Sequence, residues 1–156
     1  MKIRLLLFFI LICIQSSFSE TGYVCELDLN CDGIKDKIHS GPQGLFGNAG
    51  GVFAVTIANT NGTATQTYLI EGNPNNFVYE KTSDNTGRLW TFWRTGAGEG
   101  VIYMRTFYGN KMKESRISVD VEMKEALLEK IYASGKILKM NIVKNYTPQA
   151  GLPWGK

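Results

Sequence analysis

The 156-residue sequence predicts a mainly β domain, a small antiparallel sandwich or curled sheet of about eight strands with one short helix near the C-terminus. Three observations predict it. Short segments alternate apolar and polar residues with period two, Asn-, Asp- and Gly-rich turns separate them, and a single stretch carries apolar residues at helical spacing. Hydrophobic residues make up 44% of the chain and charged ones 20%, enough to build a core and too balanced for a disordered chain. The 17 glycines follow no fixed period, which excludes a collagen-like repeat.

The elements follow in order. Met1-Lys2-Ile3-Arg4 is a short positive stretch, Leu5 to Ile14 is unbroken apolar sequence, and Ser17 and Ser19 supply small residues. This is the layout of a secretory signal peptide over residues 1–19, with cleavage expected between Ser19 and Glu20. A run of about ten apolar residues reaches only half-way across a bilayer core. The expected product is a single domain over residues 20–146 with a tail over 147–156, periplasmic or secreted, with no membrane attachment. Losing Lys2 and Arg4, the only charges before Glu20, takes the formal charge from +3 to about +1. A nearly neutral chain lacks the electrostatic footprint of a nucleic-acid binder.

Cys13 leaves with the signal, and Cys25 and Cys31 remain. An even pair in an oxidising compartment reads as one disulfide. Two unpaired thiols are the alternative, because the short spacing needs a bent backbone to close the bridge.

The most informative motif begins between them. Asp28, Asn30, Asp32 and Asp36 occupy the first, third, fifth and ninth places of a loop with Gly33 in the sixth. Calcium takes six to eight hard oxygen ligands, and alternate residues of a tightly curled segment converge on one point. Gly33 permits the sharp turn, the Ile34 carbonyl adds an oxygen, and Asp36 coordinates directly or through water. The candidate metal set is therefore Asp28, Asn30, Asp32, Ile34 and Asp36, with Ca2+ as the expected ion. His39 stands twelfth, where a helix-loop-helix site has a bidentate Glu, so the expected affinity is weak, about 10⁻⁴–10⁻³ M. A polar turn without metal is the plainer alternative.

With its glycine-rich sequel Leu45 to Phe53, the motif resembles the calcium-binding repeats of the FG-GAP and VCBS type, over residues 25–58. Those repeats set a D-x-N-x-D-G-x-x-D loop between β-strands. One copy excludes a complete propeller, which needs about four or more blades.

Further along, Val52–Ala58 and Thr63–Ile70 flank an Asn-Gly turn and read as a hairpin. Short strands are expected at Phe77–Glu80, Arg88–Arg94, Val101–Tyr108 and Arg116–Val121. In Arg88–Arg94, Leu89, Thr91 and Trp93 share one face, and Trp90 and Phe92 the other. Met123–Ala133 carries Leu127, Leu128 and Ile131 at helical spacing before Gly135, and Lys136–Val143 reads as a last strand.

No catalytic set stands out, so the expected role is binding and not chemistry. His39 is the only histidine and no Gly-x-Ser-x-Gly element accompanies it. The Gly96–Gly100 loop lacks the Lys-Ser/Thr of a phosphate site. Single domains with this kind of loop are similar to certain periplasmic immunity proteins and lysozyme inhibitors, which insert a Tyr-Gly loop into a cell-wall hydrolase. Phe107-Tyr108-Gly109-Asn110 matches that element. The resemblance implies a secreted peptidoglycan hydrolase as partner, contacted by Arg94, Arg105, Tyr108 and Gly109. The alternative is a carbohydrate-binding module that stacks sugars on Trp90, Trp93 and Tyr103.

Overall fold

The structure is a computed structural model that describes residues 21–42, 47–59, 61 and 63–144. The signal peptide, its cleavage point, Leu45 and Phe46 of the glycine-rich sequel, and the tail lie outside the described residues.

Among the described residues, ten strands and one helix are present, and the strands build two antiparallel five-stranded sheets. The first is a meander of β1 (Gly22–Leu27), β2 (Asp36–Ser40), β3 (Gly51–Ala58) and β4 (Ala64–Gly72). The second is a meander of β5 (Val78–Lys81), β6 (Gly87–Arg94), β7 (Gly100–Tyr108) and β8 (Lys111–Val119). The helix α1 (Val121–Ser134) follows, and two short strands complete the sheets: β9 (Lys136–Ile137) beside β5, and β10 (Asn141–Val143) beside β1. The expected last strand is thus two, because the chain crosses from one sheet to the other between Leu138 and Met140.

The alternation in β6 explains the layering. Leu89 faces the first sheet, where it joins Ile38, Phe53, Val55, Phe77 and Phe107 in a buried core. Phe53 and Phe77 meet edge to face with ring centroids 4.7 Å apart. Trp90 and Phe92 point the other way and pack with Leu127, Leu128, Ile131 and Tyr132 of α1. The Asp120 carboxylate caps this helix by accepting from the Met123 amide at 2.9 Å. Gly135 ends it against β5, where a side chain would press on Val78.

β8 begins at Lys111, five residues before the expected Arg116. Its first half reads Lys-Met-Lys-Glu-Ser, which lacks the apolar alternation of a half-buried strand. It is strand because β7 pairs with it over its full length, from Gly100↔Val119 to Tyr108↔Lys111. The β3–β4 connection spans residues 59–63, longer than a two-residue Asn-Gly turn, and the Asn59 side chain holds it by accepting from the Asn61 and Thr63 amides.

Candidate cation loop and the hairpin tip beside it

The β1–β2 hairpin closes on the pair Leu27↔Asp36, so the motif forms its loop. The loop is wound inward by its own side chains. Asp28 accepts from the Asp32 amide at 3.1 Å and the Gly33 amide at 2.8 Å, and Asp32 accepts from the Ile34 amide at 2.8 Å. Asn30 donates to the Asp32 carboxylate at 2.9 Å. Cys31 and Gly33 take positive φ, 61° and 87°. The strain at Cys31 is the backbone cost of the curl, whereas Gly33 adopts that conformation freely.

Asp36, the ninth residue of the loop, has backbone ties that its spacing did not reveal. It is 1% exposed, and its two oxygens accept from the Leu29 amide at 2.8 Å and the Ala58 amide at 2.9 Å. Burial raises its pKa above the usual carboxylate range, and the two amide hydrogen bonds oppose that rise. Asp36 thus fastens the loop to β3, with one backbone amide on each of its oxygens. The more exposed oxygens of the loop are those of Asp28, Asp32 and the Ile34 carbonyl, with Asn30 and Asp36 buried behind them. Among the described residues no three His, Cys, Asp or Glu side chains form a metal-holding group. The set fits only a weak site, in which water supplies the other ligands of a calcium ion.

Around the loop, sequence reasoning missed several supports. Leu29 is fully buried in the core, and a Cβ on Gly87 would collide with its carbonyl oxygen, so β6 begins hard against the loop. Tyr79 of β5 donates to the Asp28 carbonyl at 2.8 Å and lies 3.4 Å from the Cys31 sulfur. An aromatic in a strand carries no signal of that partnership. The expected disulfide is absent: Cys25 is a buried free thiol and Cys31 a half-buried one.

The tip of the β7–β8 hairpin, Gly109-Asn110, touches this loop. Asn30 donates to the Gly109 carbonyl at 3.0 Å, across 79 residues of sequence. Tyr68 of β4 donates to the Asn110 carbonyl at 2.7 Å. Gly109 has φ 54°, the left-handed conformation that two-residue hairpin turns require. Tyr108 beside it is 50% exposed, and Lys111 across from it is exposed as well.

The two arginines expected beside this tip are elsewhere. Arg105 is 1% exposed and lies between the sheets. It donates to Glu114 at 2.7 Å and to the Thr91 hydroxyl at 2.6 Å, and its guanidinium stacks 4.5 Å from the Tyr103 ring. A strand position next to aromatics looks the same in sequence whether it faces solvent or core. Arg94 is exposed and donates to the Gly96 carbonyl at 2.9 Å, but it pairs with Gly100 at the far end of β7. At ~3.3 Å per residue that is about 26 Å from Tyr108. Of the aromatics, Trp90 packs on the helix side and donates to Glu80 at 3.3 Å, and Tyr103 lies under Arg105. His39 is buried in β2, and burial holds its pKa down at about 4.

Among the described residues no helix is long and apolar enough to cross a membrane. Comparison with family models, with curated proteins and with solved structures finds no match for this chain.

Proposed function

We propose that this chain is an exported, calcium-supported binding protein that blocks a secreted peptidoglycan hydrolase by presenting the Tyr108-Gly109 tip. The observation that carries this reading is the hydrogen bond from Asn30 to the Gly109 carbonyl. It joins the two motifs that stand out in the sequence, the acidic loop and the Tyr-Gly turn, into one surface.

The chemistry of that surface favours a cleft-filling role. Tyr108 offers an exposed aromatic on a rigid two-residue turn, the kind of side chain that gives large contact area at low entropic cost. Lys111 and Lys113 flank it, opposite in sign to the carboxylate pair of a glycoside hydrolase. Asp28 and Asp32 lie just behind the tip and would repel such a cleft. A divalent cation in the loop neutralises them, and Asn30 can lend its carbonyl oxygen to the ion while its amide holds Gly109. An Asp at position 30 could not do both, since it has no donor for the Gly109 carbonyl.

The carbohydrate-binding alternative draws less support, because Trp90 and Tyr103 have their rings engaged by α1 and Arg105. The test is turbidity loss of a cell-wall suspension by a lysozyme-type hydrolase, with and without the protein, in millimolar calcium. Slower clearing with the wild type, restored by Tyr108→Ala and unaffected by Arg94→Ala, is the expected result. Equal potency of Tyr108→Ala removes the tip from the account, and no inhibition by the wild type removes the hydrolase.

A further inference from the structure

A cleft of about 530 Å³ opens on the side of the sandwich where the chain crosses from β9 to β10. It adjoins the acidic loop, whose Asp28 and Cys31 help to line it, but the proposed hydrolase contact does not use it. Its walls are apolar: Leu27 of β1, Tyr79 of β5, and Ile137 and Leu138 of the crossing segment. Leu138 is buried, fixed by its amide to the Phe77 carbonyl at 2.9 Å, so that wall is part of the fold. Three exposed lysines line the same opening, Lys81, Lys136 and Lys139. Among the described residues none of the three has an ion-pair partner; the pairs formed are Arg88–Glu80 and Arg105–Glu114.

The cleft also borders two acids, Glu26 and Asp28. The Asp28 oxygens are both engaged by loop amides. Glu26 is exposed at the rim of the opening, next to buried Cys25. Three lysines against these two acids leave the lining with a net positive charge, and both Lys136 and Glu26 are close enough to Cys25 to act on its thiol. Clefts of about 300–1,000 Å³ with apolar walls and a few fixed charges are the usual form of a small-molecule site.

We infer that this cleft binds an amphipathic carboxylate, a fatty acid with its chain on Leu27, Ile137 and Leu138 and its head group among the three lysines. Lysines standing beside apolar walls call for a ligand that carries both an apolar body and an anionic group. Cys31 lies in the same wall and reports on occupancy, because a bound chain covers its thiol.

The experiment is calorimetric titration of the protein with dodecanoate, decanoate and dodecanol below their aggregation limits, with Cys31 alkylation by N-ethylmaleimide as the second readout. Dodecanoate is expected to bind one to one and to slow alkylation. Decanoate should bind more weakly, by up to about a factor of four for each methylene lost. Dodecanol, and dodecanoate on Lys136→Gln/Lys139→Gln, should bind about fivefold more weakly, the scale of two exposed ion pairs. Ile137→Ser alters an exposed wall residue, 52% accessible, and should weaken binding without unfolding the protein. No binding at about 100 μM dodecanoate, weaker than about −5 kcal/mol, would overturn the inference. Binding indifferent to the lysine changes, or an acidic peptide without an alkyl chain that protects Cys31 equally well, would do the same.

Discussion

The two ends of the β6–β7–β8 ribbon are built differently. At the Gly109 end, the turn is tied to the other sheet by Asn30 and Tyr68, and the loop behind it is pinned by Asp36 and Tyr79. At the Gly98 end, the loop bonds mainly to itself: the Thr95 and Gly96 amides donate to the Glu99 carbonyl, and Arg94 donates to Gly96. One end is made of contacts between segments far apart in sequence, the other of contacts within five residues. Long-range polar ties fix where a surface stands relative to the fold, and the Gly109 end is therefore the one able to present a side chain in a defined position. The glycine-rich sequence of the other end signals only a tight connection beside the start of α1, where Gly98 abuts Val121.

Breaking the loop's anchor should have the largest effect. Asp36→Ala leaves two amides without their acceptor, at about 1–3 kcal/mol each. Urea unfolding should show a loss of about 2–6 kcal/mol, and a loss under about 1 kcal/mol would make the anchor incidental.

Acid should separate two groups on the same strand. His39 has a folded pKa of about 4 against 6.5 when unfolded, so the unfolded chain binds more protons between those values. Stability from this group is present above pH ~6.5 and is lost as pH falls towards ~4, by at most about 3 kcal/mol. Asp36 works in the opposite sense: its raised pKa means the fold gains from protonation as pH falls through that value. His39→Gln should flatten the decline in melting temperature between pH 6.5 and 4, and an unchanged slope would assign the decline to other groups.

Smaller changes sharpen the contrast between the ends. Asn30→Asp removes the donor to Gly109 and should cost about 1 kcal/mol, seen in the denaturant midpoint and in weaker hydrolase inhibition. Arg94→Ala at the other end should stay within about 0.5 kcal/mol and leave inhibition unchanged. A cost for Arg94→Ala equal to that for Asn30→Asp would erase the distinction.

Much of the fold was legible in the sequence. The alternation of β6 puts Leu89 on one face and Trp90 and Phe92 on the other, as found, and the structure adds that the first meets the other sheet and the second the helix. Leu127, Leu128 and Ile131 place α1 within two residues at its start and one at its end. The first half of β8 was not legible, because its strand character comes from pairing with β7 and not from its own residues. The break between β9 and β10 is set by which sheet edge is open, a tertiary property. At the site, spacing identified the curled loop but not the amide hydrogen bonds of Asp36 to Leu29 and Ala58, since a carboxylate that binds metal and one that binds amides look alike in one dimension. The contact of Asn30 with Gly109 joins residues with no local relation, and Arg105 shows the converse, an aromatic-flanked arginine that is interior.

The central claim is that the acidic loop takes calcium and that this supports the surface around it. Thermal unfolding of the purified protein in millimolar calcium and in chelator, for the wild type and Asp32→Ala, tests it most directly. Calcium at about ten times its dissociation constant stabilises the fold by about 1.4 kcal/mol, which raises the melting temperature by about 3–6 °C for a chain of this size. The account predicts that rise in the wild type and its loss in Asp32→Ala. Equal melting temperatures for the wild type in calcium and in chelator would contradict it.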